Sequence, residues 1–182
     1  MDILNLIKKK NIKVIVSKDL KKPNGLMFLL QKGFVIRSGI IPYTIKNGKY
    51  YLLLGVKKYQ NTLDSLGGGC KLVETTFDCA MREFLEESRE TINIDINNIT
   101  HILITGRARP HQAILLVEFP NIGDEENIFQ DSLKSSSSNM YKKQFNEMEM
   151  LKWIMRENIF VEFPRDKVED SLKSLYRYLF DI

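Results

Sequence analysis

Two cysteines, two histidines, one tryptophan and five prolines in 182 residues leave several chemistries without the residues they need. Cys70 and Cys79 are too few for a disulfide scaffold and stand at no zinc-ligand spacing, so they read as reduced thiols of a cytoplasmic or otherwise intracellular protein. His101 and His111 lie at opposite ends of a strand–loop unit, poor geometry for a metal pair. No window approaches the roughly 18 consecutive apolar residues of a membrane helix, so no membrane partner is expected. The opening stretch MDILNLIKKKNIKVIV places its lysines after a short apolar run, the reverse of a signal peptide, so secretion is not expected. Internal repeats are absent, and the only low-complexity run is Ser135 to Ser138.

What is present is an ordinary globular composition, 43% hydrophobic and 27% charged, on a length that suits one domain. The net charge of +4 conceals an asymmetry. Residues 1–60 hold thirteen Lys or Arg against two acidic residues, a surplus of eleven, whereas 61–182 carry an acidic surplus of seven. Two readings of the basic third stay open: a footprint for a polyanion, or a solvated N-terminal segment carrying Lys8, Lys9, Lys10, Lys21 and Lys22.

Hydrophobic patterning predicts strands about 35–45 and 49–57 around Asn47-Gly48, a two-residue hairpin signal because both residues tolerate positive φ. HILITG and HQAILLVEF predict two more strands flanking a loop with Arg107 and Arg109, and MEMLKWI another, with Trp153 in the core. Asn121 to Gln144 reads as a long polar loop. Beyond Pro164, the spacing of Val168, Leu172, Leu175 and Leu179 predicts an amphipathic helix docked by its apolar stripe. The result is an α/β protein with a mixed sheet.

The chemistry concentrates in LGGGCKLVETTFDCAMREFLEES, Leu66 to Ser88. Thr75 is a natural N-cap, and Phe77, Ala80, Met81, Phe84 and Leu85 recur at helical spacing, which predicts a helix over 76–88. Glu83, Glu86, Glu87 and Glu90 then share one face, where neighbouring carboxylates repel. Arg82 offsets part of this through Asp78 and Glu86, but one guanidinium does not neutralise four carboxylates. Divalent cations do, and Mg²⁺ prefers hard oxygen ligands shared with substrate phosphates. Gly67, Gly68 and Gly69 supply a loop whose backbone can approach a ligand closely.

The spacing Gly68, five residues, Glu74, seven residues, then Arg82-Glu83-Phe84-Leu85-Glu86-Glu87 resembles the signature of the Nudix hydrolases, with seven of nine specified positions matched. Arg89 stands where that pattern has glycine and Glu90 where it has an aliphatic residue, so the helix is expected to run past Ser88. Val73 and Leu66 replace a further glycine and proline of the family's usual loop.

The resemblance implies an α/β/α sandwich with a mixed β-sheet between helices. It leaves 1–33 as a basic N-terminal segment and 34–182 as the hydrolase domain, with a loop insertion at about 121–144. It implies that Glu83, Glu86 and Glu87 hold Mg²⁺ or Mn²⁺ with the Gly68 carbonyl, that Arg82 orients the glutamates, and that Glu74 ties the loop to the helix. Glu147 becomes a candidate further ligand or base beside Glu83, and Lys57, Lys58, Arg107 and Arg109 become candidate substrate contacts. The implied reaction is attack of metal-activated water on a pyrophosphate. The basic third favours a polyanionic substrate such as capped RNA, which would make this an mRNA-decapping, RNA-binding enzyme. Dinucleoside polyphosphates, diphosphoinositol polyphosphates and other phosphorylated small molecules are the alternatives. A Nudix fold kept as an RNA- or protein-binding module is the non-enzyme alternative, and the sequence sets no oligomeric state.

Overall fold

In the computed structural model, which describes residues 12–17, 27–106, 110–135 and 147–179, the Asn47-Gly48 turn forms as the sequence predicts. Both residues take left-handed φ angles, 53° and 72°, and join β2 (Arg37–Lys46) to β3 (Lys49–Lys57). The other strands are β1 (Lys13–Val16), β4 (Leu63–Asp64), β5 (Leu66–Gly69), β6 (Ile99–Gly106), β7 (Pro110–Glu118) and β8 (Met148–Met155). Helix α1 (Thr76–Glu87) carries the carboxylates, and α2 (Glu125–Ser135), the single turn α3 (Ile159–Glu162) and α4 (Asp170–Leu179) follow.

One mixed sheet runs β1-β6-β7-β2-β3-β4, with β5 also paired to β2 and β8 to β3. The β1–β6 and β7–β2 pairs are parallel and the remainder antiparallel. Strand alternation sends successive side chains to opposite faces. Leu53, Ile40, Leu66, Ile102, Ile104 and Leu115 therefore pack against Phe77, Ala80 and Phe84 of α1 and Phe129 of α2. Leu52, Leu54, Ile41, Leu103 and Ile114 meet Ile159 of α3 and Leu172 and Leu175 of α4. The α/β/α sandwich with a mixed β-sheet between helices is thus observed. Phe84 is fully buried, and burial of such a side chain is worth about 1.5–3 kcal/mol.

A fork in the sheet positions the site. β2 and β3 pair over Tyr43–Lys46 and Lys49–Leu52, then diverge, and β4 and β5 enter the gap: β5 pairs with Arg37–Ile40 of β2 and β4 with Gly55–Val56 of β3. Gly39 and Gly67 face each other so closely that a Cβ on either would overlap the other's backbone, so only glycine lets the strands meet there. These short strands escape periodicity analysis because two and four residues cannot display a period.

Two expectations are corrected. Glu125–Ser135, within the predicted polar loop, is helical: Phe129 enters the core, and Glu125 and Glu126 accept hydrogen bonds from Trp153 Nε1 (2.9 Å) and its backbone N–H (2.6 Å). A single large apolar anchor is too sparse to show a stripe. In the basic N-terminal segment, Lys13–Val16 joins the sheet edge beside β6, and Phe28 and Leu29 of a 3-10 turn at Met27–Leu30 pack in the core beside α1. The predicted C-terminal stripe holds at Val168, Leu172 and Leu175, all buried.

Candidate active site

Thr75 caps α1 as expected: its hydroxyl accepts from the Asp78 N–H at 3.0 Å and donates to the Asp78 carboxylate at 2.7 Å. Asp78 is thereby spent on the cap, which corrects the expectation that it shares Arg82. All five Arg82 N–H groups find acceptors. Nε donates to Glu74 Oε1 (2.6 Å), and Nη2 to Glu74 Oε2 (2.9 Å) and the Gly69 carbonyl (2.9 Å). Nη1 donates to Glu83 Oε1 (2.6 Å) and Glu86 Oε2 (3.2 Å). Arg82 thus ties the glycine loop to two of the clustered carboxylates. Its hydrogen bonds hold Glu74 ionised, with a pKa lowered to about 2.

Glu83 lies directly over Gly68, where any Cβ would overlap its carboxylate. Burial pushes the Glu83 pKa up against the opposing pull of Arg82, and Glu86 and Glu147 add to the rise. Glu87 is only 4% exposed, and its Oε2 accepts the Gly67 N–H at 2.5 Å. Burial raises its pKa well above the usual 4.5, with Asp64 and Glu83 adding repulsion. The fork and helix therefore gather more negative charge than Arg82 and Lys57 balance. Among the described residues no three His, Cys, Asp or Glu side chains already stand in ligating geometry. Arg82 draws Glu83 and Glu86 to one side while Glu87 turns beneath the loop. The donors are nevertheless all hard carboxylate oxygens that repel one another, the chemistry that suits Mg²⁺ or Mn²⁺.

Glu147 comes near the cluster: its carbonyl accepts the Lys58 N–H at 2.9 Å, and its charge acts on Glu83. Lys57 is committed to Asp64 at 2.7 Å and lies 3.8 Å from Glu169, leaving its ammonium internally paired. Burial lowers the Lys57 pKa, but Asp64 outweighs it and the net shift is upward. The Lys58 ammonium sits over the Tyr59 ring. Arg107 and Arg109 lie outside the described residues, as do Lys8, Lys9, Lys10, Lys21 and Lys22. Sequence reasoning missed Asp64, buried beside Lys57 and acting on Glu87. A lone acidic residue between Leu63 and Leu66 gave no signal in the sequence by itself.

Helix α1 does not run on past Ser88. Ser88 is its C-cap, and Arg89 and Glu90 take φ of 56° and 57°, the left-handed region where the signature's glycine belongs. Glu90 therefore leaves the carboxylate face. The Arg89 side chain is buried and donates to the Ser132 carbonyl of α2 at 3.3 Å.

Cys70 and Cys79 form a disulfide, with Cα atoms 5.2 Å apart, which corrects their reading as reduced thiols. The loop after Gly69 folds back over the first turns of α1 and brings the two within bridging range. His101 hydrogen bonds to Thr100 at 2.9 Å and His111 is exposed, with no metal pairing between them.

Solved structures that resemble the chain include an Ap4A hydrolase and several Nudix proteins. A C. elegans Ap4A hydrolase binary complex is 17% identical, with 81% of this chain and 99% of that chain covered at a TM-score of 0.44. RenU, a Nudix hydrolase from M. smegmatis, is 10% identical over 80% of this chain and 83% of that chain, at 0.48. The NUDIX domain of Shewanella oneidensis NrtR complexed with ADP ribose is 11% identical over 81% and 90%, at 0.43. No protein-family model and no curated protein sequence matches.

Proposed function

We propose that the chain is a Nudix-type pyrophosphohydrolase requiring Mg²⁺ or Mn²⁺. The observation that carries this reading is the Arg82 hub, which binds Glu74 and the Gly69 carbonyl on one side and Glu83 and Glu86 on the other, with Glu83 seated on Gly68. In this reading Glu83, Glu86, Glu87 and the Gly68 carbonyl hold the cations, which when bound neutralise the pyrophosphate and acidify the attacking water. Arg82 fixes the direction of Glu83 and Glu86, and Glu74 fixes Arg82. Glu83 is the first candidate to take the water's proton, since burial raises its proton affinity, and Glu147 is the second. Lys58, Arg107 and Arg109 are the proposed substrate contacts. Lys57 is better read as the counter-ion of Asp64.

Residues 34–182 form the proposed catalytic domain, in an intracellular protein. The basic surplus of residues 1–60 supports a polyanionic substrate, capped RNA first, over dinucleoside polyphosphates and diphosphoinositol polyphosphates. The intact carboxylate set favours an enzyme over a binding module. A panel of nucleoside triphosphates, nucleotide sugars, dinucleoside polyphosphates, inositol pyrophosphates and capped RNA, each with Mg²⁺ and Mn²⁺, tests the reading. Cation-dependent release of a phosphorylated product is expected, and turnover indifferent to EDTA contradicts it. For RNA, changing Lys8, Lys9, Lys10, Lys21 and Lys22 to Gln should flatten the fall of affinity with salt. An unchanged slope removes the support for a polyanion.

A further inference from the structure

The chain's two cysteines sit on the two sides of the carboxylate site. Cys70 directly follows Gly69, and its N–H donates to the Ile36 carbonyl at 2.9 Å, anchoring it to the sheet. Cys79 is fully buried on α1, three and four residues before Arg82 and Glu83. The segment between them contains Glu74, so the bridge closes the loop that supplies two of the five acceptors of Arg82, while a third, the Gly69 carbonyl, lies just outside that loop on β5, paired with Arg37. Its outer part, Leu72 and Val73, is 90% and 72% exposed.

We infer that Cys70–Cys79 is a reversible thiol–disulfide site that sets how much of Arg82 is left to compete with a divalent cation for Glu83 and Glu86. This rests on the metal-site reading above. Oxidised, the bridge keeps Glu74 against Nε and Nη2, and only Nη1 reaches the carboxylates. Reduced, the loop gains freedom, the two Glu74 bonds weaken, and the guanidinium turns its freed donors toward Glu83 and Glu86. Cation binding then has to displace a stronger internal ion pair. The backbone bonds from Gly33 to the Glu74 carbonyl and from Glu74 to the Lys71 carbonyl keep the loop folded, so affinity is graded rather than abolished.

The exchange needs a dithiol. Its thiolate attacks Sγ of the partly exposed Cys70, the S–S bond breaks, and Cys79 leaves as a thiolate that takes a proton. The second thiol of the reductant then attacks its own sulfur in the mixed disulfide and releases Cys70. Two electrons and two protons pass from the dithiol to the protein, and the reductant ends as a disulfide.

The test measures Mn²⁺ binding by the disappearance of the free-ion EPR signal. It uses full-length protein reduced by a dithiol or oxidised by glutathione disulfide, desalted before titration, with alkylation and mass spectrometry to count thiols. Oxidised protein should bind Mn²⁺ about ten-fold more tightly, the low end of what partners behind a metal ligand contribute. Cys70→Ser and Cys79→Ala, each tested because either alone removes the bridge, should show the reduced affinity under both conditions. Equal affinities in the two states, or two alkylatable thiols after oxidation, overturn the redox inference and leave the metal site standing. No Mn²⁺ binding in either state overturns the metal-site reading and this inference with it.

Discussion

Glu74 and Glu87 belong to the same sequence motif, yet the fold treats them in opposite ways. Glu74 meets Arg82 through both oxygens and accepts the Lys71 N–H at 2.9 Å, so its pKa falls to about 2. Glu87 is buried beside Asp64 with one backbone N–H on its Oε2, and its pKa rises well above 4.5. The first carboxylate is fully provided for by the protein. The second lacks a counter-charge of its own, and Glu83, though it meets Arg82 at 2.6 Å, is also pushed up by burial. A carboxylate that holds structure together carries its cation with it, whereas Glu87 is buried without one of its own.

Removing the undercompensated charge gives the largest expected effect. Glu86→Gln and Glu87→Gln should each lower kcat/KM by about 100-fold or more, since in the proposed reading each would remove a metal oxygen. Glu87→Gln keeps an acceptor for the Gly67 N–H, so the cation-free variant should be as stable as the parent or more so by about 1 kcal/mol in urea unfolding. Marked destabilisation would make Glu87 a structural residue and dissolve the contrast.

At the compensated end, Glu74→Gln is expected to act through stability. It turns charge-assisted bonds to Arg82 into neutral ones at a cost of about 1–2 kcal/mol, with kcat/KM down by about ten-fold as Arg82 reorients. A loss of activity matching that of Glu87→Gln would show that Glu74 itself reaches the cation.

Arg89→Gly is the smallest effect and bears on the exit of α1. Glycine relieves a left-handed φ worth about 1 kcal/mol but loses the bond to Ser132, so thermal stability should move by under about 1 kcal/mol either way. Mn²⁺ affinity should not change, because the guanidinium points to α2. Tighter Mn²⁺ binding in a calorimetric titration would place Arg89 on the carboxylate cluster after all.

Legibility from sequence followed the range of the interactions. The hairpin, the long strands and the stripes of α1 and α4 were readable because their signals are local: Asn47-Gly48, a period of two, or Leu172 and Leu175 one turn apart. The contacts of Arg82 with Glu74, Glu83 and Glu86 follow the signature, which stores a long-range geometry as fixed spacing. Asp64, the α1 exit and the Cys70–Cys79 bridge were not readable. Each depends on a chain fork, a backbone angle or a loop return that no neighbouring residue announces. Arg89 is the sharpest case, since a residue that should extend a helix adopts glycine's conformation when its side chain finds an acceptor on α2.

The central claim is that burial and mutual repulsion at Glu83 and Glu87 exceed what Arg82 and Lys57 offset until a cation arrives, and the pH dependence of unfolding tests it most directly. A carboxyl whose folded pKa is raised binds more protons folded than unfolded, so its contribution falls as pH rises from 4.5 through the raised pKa. Glu74 runs the other way, its contribution being present above 4.5 and lost as pH falls toward 2. His101, whose pKa burial draws below 6.5, adds a rise with pH up to that value, so the scan belongs in a His101→Gln background and stops at about pH 8.5. Without a cation, stability should peak near pH 4.5 and decline above it. With Mn²⁺ at about 100 times its Kd, the decline should turn into a rise of about 2–3 kcal/mol at neutral pH. A cation-free protein equally stable from pH 4.5 to 8, and indifferent to Mn²⁺, would contradict the account.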